Sequence, residues 1–160
     1  MRNFKILWVI IGLLLLILAA IAYKLVQGDV APSEDNRIAV NLSKDERNLV
    51  LNEMRNFLIS TQGVSEAITN NDLQLAAKLA SEAGMQAESN TPGSLLSKIP
   101  LAMKTLGFDT RQKFDQIASD ALQLNDPMHS RNQLDVLMKN CITCHASFKI
   151  LEEKNKIVGY

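Results

Sequence analysis

The chain has 160 residues, 47% of them hydrophobic, and carries 17 basic and 17 acidic side chains, so its formal charge is zero. This balance argues against a nucleic-acid-binding protein, because such proteins show a basic surplus. Two cysteines exclude a scaffold of several disulfides and a zinc site of four thiolates. Every acidic residue follows position 27, so the sequence divides into a basic, apolar leader and a remainder long enough for one domain.

The leader contains an uncharged apolar run over residues 6–22, preceded by Arg2 and Lys5. Under the positive-inside rule these bases keep the N-terminus in the cytoplasm and place the rest of the chain on the periplasmic side of a bacterial inner membrane. Two interpretations stay open. Residues 1–26 are a retained membrane anchor, since together they supply roughly the 20 apolar residues that a bilayer core requires. Alternatively they are a signal peptide cleaved near Ala22, which leaves a soluble periplasmic protein.

Residues 27–41 contain Gly, Pro, Ser, Asp and Asn without a helical period. This composition predicts a linker between the leader and the domain, and such a linker lets the domain swing on an anchor. The domain itself is predicted over residues 42–160. Its sequence shows helical periods only, without an alternating strand pattern.

The first two helices of this domain have clear start signals. Ser43 and Glu46 are predicted to form a capping box, in which the side chain of each residue accepts a hydrogen bond from the backbone amide of the other. A turn at residues 70–72 then begins a second, short, alanine-rich helix, which is predicted to end before Gly84, a residue that suits a C-terminal cap.

Two longer helical patterns come after a connection that contains prolines. The third helix is predicted to begin at Asp109, and residues 125–127 end it. The last is predicted to run from near Ser130 to near Asn155, with apolar residues three and four positions apart. Four amphipathic helices without a sheet predict an all-α fold, an antiparallel four-helix bundle behind an N-terminal hydrophobic helix.

The strongest chemical signal is the segment 141–145, Cys-Ile-Thr-Cys-His, in the last helix. Cys-x-x-Cys-His is the attachment sequence of c-type haem. Spacings of three and four put Cys141, Cys144 and His145 on one helix face, so the thiols can bond two vinyl groups while the imidazole reaches the iron. A thioredoxin-like pair, half a zinc site and a disulfide are weaker alternatives: no strand precedes the pair, the only other histidine is His129, and the disulfide geometry is poor. We therefore predict one covalent haem c.

The haem iron has a second axial position, on the side opposite the imidazole. A methionine there gives a low-spin electron carrier, whereas an empty position gives a haem that can bind ligands. Met54 is the candidate, because it lies on the apolar stripe of the first helix, which is adjacent and antiparallel to the last in an up-down bundle. In such a bundle the start of the first helix lies beside the end of the last. Met54 lies roughly 16 Å from that start, and His145 lies roughly 15 Å from the predicted end, so the two residues are expected at the same height along the bundle. The alternative is ordinary core packing of Met54.

A Cys-x-x-Cys-His near the C-terminus, on the last helix of a bundle, resembles the class II c-type cytochromes, the cytochrome c-prime type. Residues 53–55 (Glu-Met-Arg), the pair Phe114-Asp115 and residues 141–148 resemble the low-spin, methionine-ligated branch of that family. The similarity extends over about residues 42–151.

The resemblance implies an exported single-electron carrier, not an enzyme, whose haem iron is held by His145 and Met54. It also implies redox partner proteins in the periplasm or its membrane, no nucleic-acid partner, and a capacity to form homodimers. The alternative function is a five-coordinate cytochrome c-prime-type protein that binds NO or CO. Four apolar side chains are candidates for the haem pocket: Phe57, Phe114, Leu137 and Phe148.

Overall fold

The computed structural model describes the backbone of residues 2–153 and the side chains of residues 5–87 and 91–153. Within this part the fold is mostly helical, with one small sheet. The helices are α1 (Arg2–Gln27), α2 (Lys44–Thr69), α3 (Leu73–Ser81), α4 (Gly93–Lys98), α5 (Leu101–Leu124) and α6 (Pro127–Ser147), and a 3₁₀ helix covers Met85–Asn90. The strands are β1 (Val30–Pro32), β2 (Ile38–Leu42) and β3 (Phe148–Glu152).

Helix α1 is mostly apolar, and its side chains are exposed over residues 5–27. Its part Lys5–Gln27 is, among the described residues, the one helix long and apolar enough to cross a membrane. A membrane anchor and a signal sequence both have these properties.

Four helices enclose the larger apolar core, which we call the inner cluster. α2 and α5 each pack against both α3 and α6, so the four helices contact one another in a ring. The alanines of the short helix α3 allow its neighbours to approach closely. The inner cluster comprises Val64, Ala67, Ile68, Leu73, Ala76, Ala77, Ala80, Ala83, Phe114, Ile117, Ala121, Leu134 and Leu137.

A second apolar group, the sheet cluster, lies where the sheet meets the helices. It comprises the buried residues Val40, Leu42, Val50, Leu95, Met103 and Phe148. Val40 and Leu42 come from β2 and are fully buried. The sheet is therefore part of the folded core.

The predicted helix starts are partly confirmed. The capping box of Ser43 and Glu46 begins α2, and Asp72 caps α3. The prediction that the third helix begins at Asp109 is wrong: α5 begins eight residues earlier, after Pro100, whose fixed φ suits a helix start. Asp109 instead accepts a hydrogen bond from Asn140 Nδ2 (2.6 Å) on α6.

α3 ends before Gly84 as predicted, at Ser81, although its C-cap residue is Glu82. The predicted end of the last helix is wrong, because α6 ends at Ser147. After Ser147 the chain becomes β3, because pairing with β2 satisfies its backbone amides and carbonyls. The predicted end near Asn155 lies outside the described residues.

The prediction of a sheet-free fold and of an unstructured linker at residues 27–41 is wrong as well. β1 pairs antiparallel with β2, with Val30 opposite Val40, and β2 pairs parallel with β3, with Ile38 opposite Phe148. The strand order is β1-β2-β3. The segment after the leader is thus tied to the segment after the last helix.

An ion cluster holds the end of β3 against the start of α2. Lys98 Nζ, at the end of α4, donates to Glu46 Oε2 (2.8 Å) and Glu153 Oε1 (2.6 Å). The Lys98 ammonium is the main cause that lowers the pKa of Glu46 to about 2. The same two contacts raise the pKa of Lys98, and the hydrogen bond to Glu153 has the larger effect.

Replacing Glu46 by Gln should destabilise the protein at neutral pH by about 1–2 kcal/mol, because a partly buried charge-assisted contact is lost. A lowered carboxyl pKa stabilises the fold above the ordinary value of 4.5, and this contribution disappears as the pH falls towards 2. The difference between variant and wild type in urea unfolding should therefore shrink between pH 5 and pH 2. The exposed Glu34, changed to Gln, is the control; an equal effect there would contradict the assignment.

Candidate functional site

The Cys-x-x-Cys-His segment lies in the last helix, as predicted, but it occupies the final turns of α6 because that helix ends at Ser147. Cys141 and Cys144 are half-buried and are not bonded to each other. His145 is exposed. Since α6 is regular helix through Ser147, the three side chains lie on one side of it, at positions i, i+3 and i+4.

Both thiols are held in the protonated form. Burial raises the pKa of Cys141 and of Cys144, and the neighbouring Cys141 raises that of Cys144 further. Redox-active cysteine pairs have lowered pKa values, because the thiolate is the reacting species. The direction of these pKa shifts does not favour a dithiol oxidoreductase.

Helix α2 faces these cysteines with a matching pair of side chains. Met54 and Cys144 both pack against the sheet cluster, while Phe57 and Cys141 both pack against the inner cluster. A step of three residues up α2 thus corresponds to a step of three residues down α6, as expected for antiparallel neighbours. Met54 and Cys144 thus contact one and the same apolar cluster, although the helix end used to predict a common height for Met54 and His145 was wrong.

The four predicted pocket residues divide between the two clusters. Phe57, Phe114 and Leu137 lie in or against the inner cluster, and Phe148 belongs to the sheet cluster. The rings of Phe57 and Phe114 are stacked, with centroids 5.8 Å apart and planes inclined by 7°.

Arg111 of α5 is a member of this region that the sequence patterns did not predict. It is 3% exposed, and its guanidinium lies 4.8 Å from the centroid of the Phe57 ring. It donates to Glu53, next to Met54, and to the backbone carbonyls before the 3₁₀ helix. The sequence did contain one indication that Arg111 is buried. It stands three residues before Phe114, and that spacing puts both side chains on one face of the helix.

The end of α6 is fixed by the turn between β1 and β2. Arg37 Nη1 donates to the carbonyl oxygens of His145 (3.3 Å) and Phe148 (3.5 Å). Asp35 in turn accepts from Arg37 Nη2 at 2.7 Å, and this contact lowers the pKa of Asp35. Arg37, itself held by Asp35, therefore fixes the backbone that carries the His145 imidazole.

No three His, Cys, Asp or Glu side chains converge on a common point among the described residues, so side chains alone do not build a metal site there. A haem iron needs only two protein ligands, because the porphyrin supplies the other four donors. His129 lies at the opposite end of α6 from His145, roughly 24 Å away along the helix axis. It contacts Asp120 at 3.3 Å.

Comparisons with protein-family models, with curated proteins and with solved structures found no match for this chain. Its function is therefore inferred from its own residues.

Replacing Arg111 by Met should destabilise the protein by about 2–3 kcal/mol, because Glu53 then loses its partner in a partly buried site. Urea unfolding followed by circular dichroism measures the change. The matched control is Arg55→Met on the exposed side of α2, for which we expect less than about 0.5 kcal/mol. Equal losses in the two variants would show that Arg111 has no special structural role.

Proposed function

We propose that this protein is an exported c-type cytochrome with one covalently bound haem, and that it transfers single electrons. His145 and Met54 are the proposed axial ligands. The observation that carries the proposal is that Met54 packs against the same apolar cluster as Cys144, and Phe57 against the same cluster as Cys141.

The donor set fits a c-type haem. Two protonated, unbonded thiols are the groups that add across two vinyl double bonds, with the thiol hydrogen passing to the vinyl carbon. The imidazole one position after the second thiol and the thioether on the neighbouring helix are the two ligand types of a low-spin cytochrome c. Bound there, haem supplies a one-electron couple.

The protein side chains hold and shield that group. Cys141 and Cys144 fix the porphyrin to α6, and the Arg37 contacts fix the backbone of His145. Phe114 and Leu137 are fully buried and Phe148 nearly so, as apolar core residues are, and their contact with the haem is part of the proposal. A rigid, dry surrounding favours rapid electron exchange, since little must move when the charge changes.

The ring of α2, α3, α5 and α6 supports an antiparallel four-helix bundle of the class II cytochrome type. The three-stranded sheet is an addition to the bundle that the resemblance did not imply.

Helix α1 is proposed as a retained anchor that keeps the domain on the periplasmic side of the inner membrane, where membrane-bound or periplasmic redox proteins are its partners. The alternative is cleavage near Ala22. The structure favours retention because residues beyond the cleavage position continue the same helix to Gln27 without a break.

The covalent haem is tested by expression in cells that mature c-type cytochromes. We expect the wild type to keep its haem through acid–organic extraction, because thioether bonds survive it. The double variant Cys141→Ala, Cys144→Ala should lose the haem on extraction. Thr143→Ala, inside the same segment, should keep it. A wild type that is colourless after maturation would overturn the proposal.

The axial ligand is tested by Met54→Leu, which nearly conserves volume and removes the sulfur. The visible spectrum should change from low spin to high spin, with a charge-transfer band of methionine-ligated iron lost in the oxidised form. Met103→Leu, in the same sheet cluster, is the matched control and should stay low spin. A wild type that is already high spin and responds to CO would favour the five-coordinate NO- or CO-binding alternative.

A further inference from the structure

The end of α1 is fixed rigidly to the domain. Gly28 is buried at a φ of +69°, and a Cβ there would lie 2.7 Å from the nitrogen of Pro100. This close approach lets the next amide, that of Asp29, donate to the carbonyl oxygen of Lys98 (2.7 Å). The junction therefore needs glycine both for its conformation and for space.

A second contact completes the junction. Lys104 Nζ, on α5, donates to the carbonyl oxygen of Leu25 (2.9 Å), one of the last carbonyls of α1. The strand β1 begins two residues after Gly28 and enters the sheet. Because both contacts and the strand fall within eight residues, the chain has no free hinge between α1 and the domain.

An apolar groove of about 690 Å³ opens beside this junction. Its walls are the end of α1, the strands β1 and β2, the start of α5 and the end of α6. Val26, Ile38 and Leu101 line it and are 53%, 43% and 49% exposed. We call these three residues and the groove the collar.

The collar lies at the level where α1 would leave a bilayer. From Ile6 to Val26 the helix rises roughly 30 Å, the thickness of a hydrocarbon core. Tyr23 and Lys24 stand at the end of this length, as is common for residues at a membrane interface. Val26 is thus exposed on α1 and also lines the groove of the domain.

We propose that the collar is a phospholipid-binding surface, with which the domain rests on the bilayer that α1 spans. This inference depends on the proposed function only in taking α1 as a retained anchor. Continuity with the exposed surface of α1 identifies lipid as the occupant. Lys24 and Lys104, at the same level, favour anionic headgroups.

The collar also orients the proposed haem. Thr143, between the two cysteines, lines the groove together with Val26. The end of α6 that carries the Cys-x-x-Cys-His segment is therefore the end of the domain nearest the membrane. Electron partners are then reached at the membrane surface.

The test uses the full chain in lipid nanodiscs that contain a phospholipid with a diazirine on its acyl chain close to the glycerol. After illumination, mass spectrometry locates the cross-linked residues. We expect cross-links at Ile38 and Leu101 in addition to α1, and none at Leu122, which lies on the same helix as Leu101 but roughly 31 Å further along.

Matched variants separate the collar from the anchor. Leu101→Glu should reduce the cross-links at Ile38 severalfold, because a charge opposes insertion into the apolar boundary, whereas Leu122→Glu should leave them unchanged. Both sites are about half exposed, so both variants should fold. Cross-links confined to residues 5–25, or no effect of Leu101→Glu, would overturn the proposal.

The same samples distinguish this proposal from the proposed function. A colourless protein with collar cross-links would overturn the cytochrome and leave the lipid surface standing. A coloured protein whose cross-links stop at α1 would overturn the lipid surface and leave the cytochrome standing. A mature chain that has lost α1 would overturn both the collar and the retained anchor, and would leave the covalent haem and its ligands standing.

Discussion

The antiparallel packing of α2 against α6 is the constraint on which the candidate site depends. Met54 and Cys144 both pack against the sheet cluster. Phe57 and Cys141, each three residues away on its own helix, both pack against the inner cluster. A shift of α2 by one helical turn would move the thioether about 5.4 Å along the axis, beyond the reach of a shared metal. The capping box that starts α2 and the contacts that hold its flanks therefore matter for the site as well as for stability.

The local parts of the site could be predicted from sequence, because they need only helical spacing. Cys141, Cys144 and His145 are such a case, and so is the capping box. The β3 strand could not be predicted in this way, since Phe148 and Leu151 fit a helical period while Phe148 and Ile150 fit a strand. The pairing of this segment with β2, more than a hundred residues earlier in the chain, decides between the two.

Arg111 shows a second limit of sequence reasoning. Arginines are rarely buried, so composition alone places this one at the surface. In the structure, its aliphatic part and its guanidinium are enclosed by Phe57, Glu53 and two backbone carbonyls. Such a site is acceptable because the charge is paired and hydrogen-bonded, and it joins α2, α5 and the loop after α3 at one point. The spacing to Phe114 indicated the face, but only the tertiary contacts supply the partners.

The sheet changes how the proposed cytochrome can work. A flexible linker would let the domain sample many orientations and meet partners at different heights, at a modest entropic cost when it docks. Here β1 and β2 bind the leader to β3, and Arg37 in their turn contacts the backbone of His145. Any movement of α1 relative to the domain would therefore be transmitted to the end of α6. In the proposed cytochrome, a partner would therefore approach a haem held in one orientation, and the exposed surface around His145 would determine which partners exchange electrons with it.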